Sequence, residues 1–188
     1  RMAPVPIAPE ALQPVDLVLC THAHTDHMDP GTLGPLAAAN PRCLFVVPAP
    51  EVAKAVERGA PADRLIPAEA GQELVFPGGT RVLALPAAHE EFSMDEAGRH
   101  RFLGYRVGRA GRAVYHSGDC VPYTGLAGTL SRLGIDLALL PVNGRDEARR
   151  SAGVPGNFTL QEAVALCREA GIPRMLGHHF GLFDFNTI

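Results

Sequence analysis

Thr21-His22-Ala23-His24-Thr25-Asp26-His27 constrains this chain more than any other stretch. It follows the apolar run Val15-Asp16-Leu17-Val18-Leu19-Cys20, which reads as a buried strand. The cluster therefore sits where a strand ends and a loop begins. Alternate side chains of an extended segment point the same way, so His22 and His24 share one face. Asp26 and His27 follow at once and can turn towards a second point. Imidazole and carboxylate are donors that zinc, manganese and iron take. A polar, solvated, His-rich loop is the plain alternative. Three of only eight histidines in 188 residues fall in this one loop, which favours metal binding.

His-x-His-x-Asp-His behind a hydrophobic strand resembles the signature of the metallo-β-lactamase hydrolase superfamily. That family adds a lone His, an Asp following a strand and a final His. The chain offers them in that order: His89 in Leu85-Pro86-Ala87-Ala88-His89-Glu90, Asp119 in Val114-Tyr115-His116-Ser117-Gly118-Asp119, and His179 in Met175-Leu176-Gly177-His178-His179-Phe180. By this resemblance His22, His24 and His89 hold one metal, and Asp26, His27 and His179 hold a second. Asp119 bridges them, and Asp26 and Asp119 are the catalytic carboxylates. The cofactors implied are two divalent ions, zinc or manganese, with iron also compatible. The last position is open between His178 and His179. The His-aromatic-x-x-Phe spacing from His179 to Phe183 favours His179 and leaves His178 as a substrate contact. His116 reads as a hydrogen-bond partner behind the ligands. Asp29 is either such a partner or, preferably, the cap of a following helix.

The resemblance covers most of the chain and implies one mixed α+β domain over residues 1–188. Its fold is the family's αβ/βα sandwich, with metals at one edge between two sheets. Strands that normally precede the first motif are absent from the sequence, so the chain reads as a piece of a longer one. The element pattern agrees with two mixed sheets flanked by helices. A helix is expected from Pro30 to Ala39 and another from Pro50 to Arg58, with Gly59 beyond its end. Gly78-Gly79 marks a hairpin between Leu74–Phe76 and Arg81–Leu85, and Gly108 to Gly111 marks a second one between Phe102–Val107 and Ala113–Ser117. Strands are also expected at Arg42 to Val47, Leu137 to Leu140 and Arg174 to Leu176, and a helix at Leu126 to Leu133. Thr159 to Ala170 carries a capping box, Thr159 with Glu162, and stops at Gly171. Its core-facing stripe is read as Leu160, Ala163 and Val164.

Composition narrows the partners. A net charge of −3 gives no general attraction to nucleic acid. No apolar stretch reaches the 18 residues of a membrane span, and no secretion signal is visible. The four cysteines form no C-x-x-C pair. Cys20, Cys43 and Cys167 read as buried thiols of a reducing, cytoplasmic compartment. Cys120 adjoins Asp119 and is the one with a conceivable metal role. The mixed charges from Arg145 to Arg150 read as a solvated loop, and His100, between two arginines, as a solvated side chain. A homo-oligomer is compatible with the sequence.

Two close cations, ~3.5–4 Å apart, share a water and lower its pKa, and the resulting metal-bound hydroxide attacks a carbonyl or phosphorus. Three further stretches, Leu139 to Asp146, Gly156 to Thr159 and His178 to Phe183, resemble the L-ascorbate-6-phosphate lactonase branch. That resemblance implies a small-molecule, phosphorylated sugar lactone as substrate, bound through Asn143, Arg145 and His178. The alternatives for these residues are a turn at Asn143-Gly144 and an ion pair of Arg145 with Asp146 or Glu147. Met28-Asp29-Pro30-Gly31 departs from the pattern of the glyoxalase-like and quorum-lactonase branches. A phosphodiesterase or nuclease on the same metals, and a non-catalytic metal-stabilised module, are the competing functions.

Overall fold

The computed structural model describes every residue except Arg1, Ala3, Leu182, Phe185 and Ile188. Leu182, inside the last motif, therefore lies outside the described residues. Two sheets face each other. The first has three parallel strands in the order β1 (Leu17–Leu19), β2 (Leu44–Pro48) and β3 (Leu65–Ala68). The second has six: β4 (Glu73–Phe76), β5 (Thr80–Pro86), β6 (Leu103–Arg109), β7 (Arg112–His116), β8 (Leu137–Pro141) and β9 (Met175–His178). β4 to β7 pair antiparallel, with tight turns between β4 and β5 and between β6 and β7 and a long loop over residues 87–102 between β5 and β6, and β7, β8 and β9 pair parallel. Parallel neighbours need crossovers. These carry helices α1 (Pro30–Ala39) and α2 (Val52–Glu57) in the first sheet, and α3 (Leu126–Ser131) and α5 (Leu160–Glu169) in the second.

Three apolar clusters hold the layers in the order helix, sheet, sheet, helix. Leu33, Leu36 and Ala55 of α1 and α2 pack on Phe45 and Val47. Val46 meets Val82, Leu103 and Tyr105 between the sheets. Leu126, Leu130, Ala163 and Leu166 of α3 and α5 pack on Tyr115, Ala138 and Leu140. Val46 and Val47 point to opposite sides of β2, as strand pleating requires. The Tyr105 hydroxyl crosses between the sheets and donates to the Cys20 carbonyl at 2.9 Å. The Leu103 amide donates to Thr21 O at 2.8 Å. These two bonds fix the end of β1 against β6, at the edge where the His-rich loop begins.

Local signals produced the elements they predict. The Asp29 carboxylate accepts from the Gly31 amide and the Thr32 hydroxyl, capping α1. Both halves of the Thr159–Glu162 capping box form at α5. Three expectations need correction. The helix expected from Pro50 begins as a 3₁₀ turn over Ala49–Glu51, and only Val52–Glu57 is α-helical. The expected loop at 145–150 contains a short helix, α4 (Glu147–Ser151), capped by Asp146, which accepts from the Arg149 amide. Leu160 is 45% exposed, and α5 buries Ala163, Leu166 and Cys167 instead. A helical side chain covers the turn before its own Cα, and at the first helical position no such turn exists. No helix among the described residues is long and apolar enough to cross a membrane.

Candidate metal centre

The sandwich gathers seven donors at one edge. Ligand atoms of His22, His24, His89 and Asp119 lie within 4.8 Å of one another, and those of Asp26, His27 and His179 form a second such group. Asp119 reaches both. Its Oδ2 is 4.0 Å from His22 Nε2, 3.5 Å from His89 Nε2 and 3.2 Å from His179 Nε2, and its Oδ1 is 3.1 Å from His27 Nε2. Asp26 Oδ2 lies 3.2 Å from His179 Nε2 and 3.6 Å from His27 Nε2. The donors leave the ends of four strands. The His-rich loop follows β1, His89 follows β5, Asp119 follows β7 and His179 follows β9.

The donor set fits divalent cations. The Nε2 atom of His22 is buried without a hydrogen-bond partner among the described residues, which costs free energy unless an ion takes it up. Partners on the far side orient the rings. His89 Nδ1 donates to the Gly156 carbonyl at 3.0 Å, which leaves Nε2 as a lone pair facing the cluster. Thr21 Oγ1 lies 3.0 Å from His22 Nδ1 and 3.2 Å from His27 Nδ1. Its two lone pairs can hold both rings in the same tautomer. Phe102 packs on the rings of His22, His24 and His89. Burial pushes the His22 pKa down to about 2 and lowers those of His24 and His89, so these rings stay neutral and able to ligate.

The second group carries a proton when no ion is present. Burial alone would depress His179, but its hydrogen bonds to Asp119 and Asp26 push its pKa up to about 10. Burial would raise both carboxyls, yet His179 holds Asp26 down at about 2, and His179 with His27 holds Asp119 well below the usual carboxylate range.

Backbone geometry brings His179, and not His178, to the donor groups. His179 has φ 63°, a left-handed turn at the end of β9 that carries its ring to Asp26 and Asp119. His178 instead packs against His116, ring centroids 4.6 Å apart. It is not among the residues that line the cleft described below. His116 accepts from the Gly118 amide through Nδ1 at 2.9 Å, which shapes the turn into Asp119. Cys120 is fully buried and its thiol, pushed up to about 12 by burial, donates to the Val121 carbonyl. It stands apart from the ligand groups. His100 is half-buried, its ring edge-on to Phe92, rather than solvated.

Two residues expected to touch substrate have partners within the fold. Arg145 forms a two-point ion pair with Glu162, both bonds 2.7 Å, and also donates to Asn157 O. The partner is neither Asp146 nor Glu147. Asn143 is fully buried, bridges to Thr159 and donates to Asn186 Oδ1. Arg145→Ala is therefore expected to cost about 1–3 kcal/mol of stability, the scale of charged hydrogen bonds. Its effect on KM for any substrate should stay within about twofold, as expected of a group that holds the fold and not the ligand. Thermal unfolding and steady-state kinetics on the same preparation check this, and a raised KM at unchanged stability would restore Arg145 to the substrate.

Five of the donors, His24, Asp26, His89, Asp119 and His179, line a cleft of about 480 Å³. Gly153, Val154, Pro155 and Arg58 also line it. His89 and Glu90 both hold the loop behind Pro155, since Glu90 Oε1 accepts from the Gly156 amide at 3.1 Å. Glu90 does so at φ 70°, a strained setting for a residue with a side chain. Thr21, Glu90 and Arg58 escaped the sequence reading of roles. Only Thr21, next to His22, carried a local signal.

Seven His and Asp donors at the strand ends of a four-layer sandwich define a class of metal-binding protein, and comparison with known proteins agrees. The β-lactamase superfamily domain matches residues 1–180. A UPF0173 metal-dependent hydrolase of Methanoculleus marisnigri is 30% identical over 186 residues, covering 95% of this chain and 72% of that protein. One from Aeropyrum pernix is 35% identical over 157 residues, covering 74% of this chain but only 59% of that protein. The fold is also similar to that of Igni18, a metallo hydrolase from Ignicoccus hospitalis, with TM-score 0.69 at 20% identity, over 92% of this chain and 67% of that one. The chain belongs to the metallo-β-lactamase superfamily and, within it, to the UPF0173 metal-dependent hydrolase family.

Proposed function

We propose that the protein is a hydrolase of small molecules that works with two divalent cations. One observation carries the reading: a single carboxylate, Asp119, reaches both the His22-His24-His89 group and the Asp26-His27-His179 group. When bound, such ions supply Lewis-acid polarisation and a water of lowered pKa. The chain's own residues hold the frame. Thr21 and Gly156 O fix ring tautomers, and Gly153 to Pro155 line the cleft beside the donors. The motifs at Leu139 to Asp146, Gly156 to Thr159 and His178 to Phe183 support a lactone as the electrophile. With Arg145 on Glu162, a sugar-phosphate substrate no longer has that residue in its favour.

Metal removal tests the reading. Protein stripped by chelation should turn over none of a lactone, ester and phosphodiester panel, and zinc or manganese should restore activity on at least one. His179 Nε2 must lose its proton to ligate, so metal uptake should release protons and its apparent affinity should rise with pH. The sign follows from the His179 pKa of about 10: the proton is present at pH 7 and competes with the cation, increasingly so as pH falls. Proton release is read in weakly buffered solution at about pH 8. Stripped protein with full activity would sink the proposal.

A further inference from the structure

Arg58 is the only arginine or lysine among the described residues that line the cleft. It ends α2 and reaches back across the His-rich loop, where Nη1 donates to Ala23 O and to Met28 O, the latter at 3.1 Å. Two carbonyls thus hold one corner of the guanidinium. No carboxylate pairs with it among the described residues; its partners are the two loop carbonyls. A half-buried cation with neutral partners keeps its charge available, and the remaining N–H groups of the planar fork suit a carboxylate or phosphate. The ligand set points the same way. Asp26 and Asp119 bring two negative charges against the four of two divalent cations, so a loaded cleft attracts anions.

We infer that Arg58 is a specificity-determining residue that binds an anionic oxygen group, carboxylate or phosphate, of the substrate. This rests on the hydrolase reading above and names its substrate class. The guanidinium is tied to the loop carbonyls, so it holds the substrate in place and takes no part in the bond change. Its contribution is therefore to binding, and it falls on KM more than on kcat.

Inorganic phosphate is the probe. Calorimetric titration into the metal-loaded protein reads its Kd, with metal content measured on each preparation. Arg58→Met should raise that Kd about tenfold to a hundredfold, the range for losing a charged hydrogen bond. Arg58→Lys, compared at equal metal content, should recover only part, since an ammonium cannot hold both loop carbonyls and still offer a two-point fork. On a pair of p-nitrophenyl esters, acetate and hemisuccinate, Arg58→Lys should raise KM for the hemisuccinate alone. An unchanged phosphate Kd in both variants, or wild-type protein that takes up no phosphate, overturns the inference and makes Arg58 a staple of the loop. Failure of the hydrolase reading looks different: loaded wild-type protein turns over no substrate, while the phosphate isotherms still decide Arg58.

Discussion

Asp119→Ala is expected to lower kcat/KM by at least about a thousandfold, equivalent to ~4 kcal/mol of transition-state stabilisation. Metal content should fall with it. Asp119 is 3% exposed, and its carboxylate lies within 4.0 Å of donors in both groups. Its loss also strands the proton on His179, which then has Asp26 alone. His22→Ala should act through the first donor group with a similar loss. Asp119→Asn keeps the shape but not the charge, and should bind metal poorly while retaining most thermal stability. His100→Ala, outside both groups, should leave metal content and rate unchanged. Elemental analysis beside kinetics checks all four. An Asp119→Ala protein with full activity and full metal would end the two-ion mechanism.

Gly118→Ala should be nearly as damaging, through the backbone. Gly118 has φ 65°, and a Cβ there would sit 2.9 Å from the Leu103 carbonyl oxygen and 2.9 Å from Thr21 Cβ. The left-handed conformation costs a non-glycine residue roughly 1–2 kcal/mol, and overpacking against fixed neighbours adds about 1–3 kcal/mol. A total of about 2–5 kcal/mol is a large part of ordinary domain stability. At roughly 2–4 °C per kcal/mol for a chain of this size, the midpoint should drop by about 5–20 °C. The clash has a chemical consequence too. Thr21 is the shared partner of His22 and His27, and Asp119 is the next residue, so relief of the overlap moves ligands of both groups. Metal affinity should fall along with the melting point. A Gly118→Ala protein that melts like wild type would show that the turn has room these distances deny.

The sequence by itself determined what depends on neighbours in the chain. The Asp29 cap, the Thr159–Glu162 box and the Gly78-Gly79 hairpin each close over a few residues, so their hydrogen bonds were legible in the residue order. The His-x-His-x-Asp-His spacing was equally local, and it pointed to the edge where the donors meet. Tertiary structure decided what depends on distance. Arg145 finds Glu162 seventeen residues away instead of its acidic neighbours. Arg58 meets Ala23 across thirty-five residues and faces a cleft that does not exist until α2 packs behind the loop. The choice of His179 over His178 turns on a single positive φ at the end of a strand. Strand pleating alternates side chains between faces, and only the sheet's packing says which face is buried.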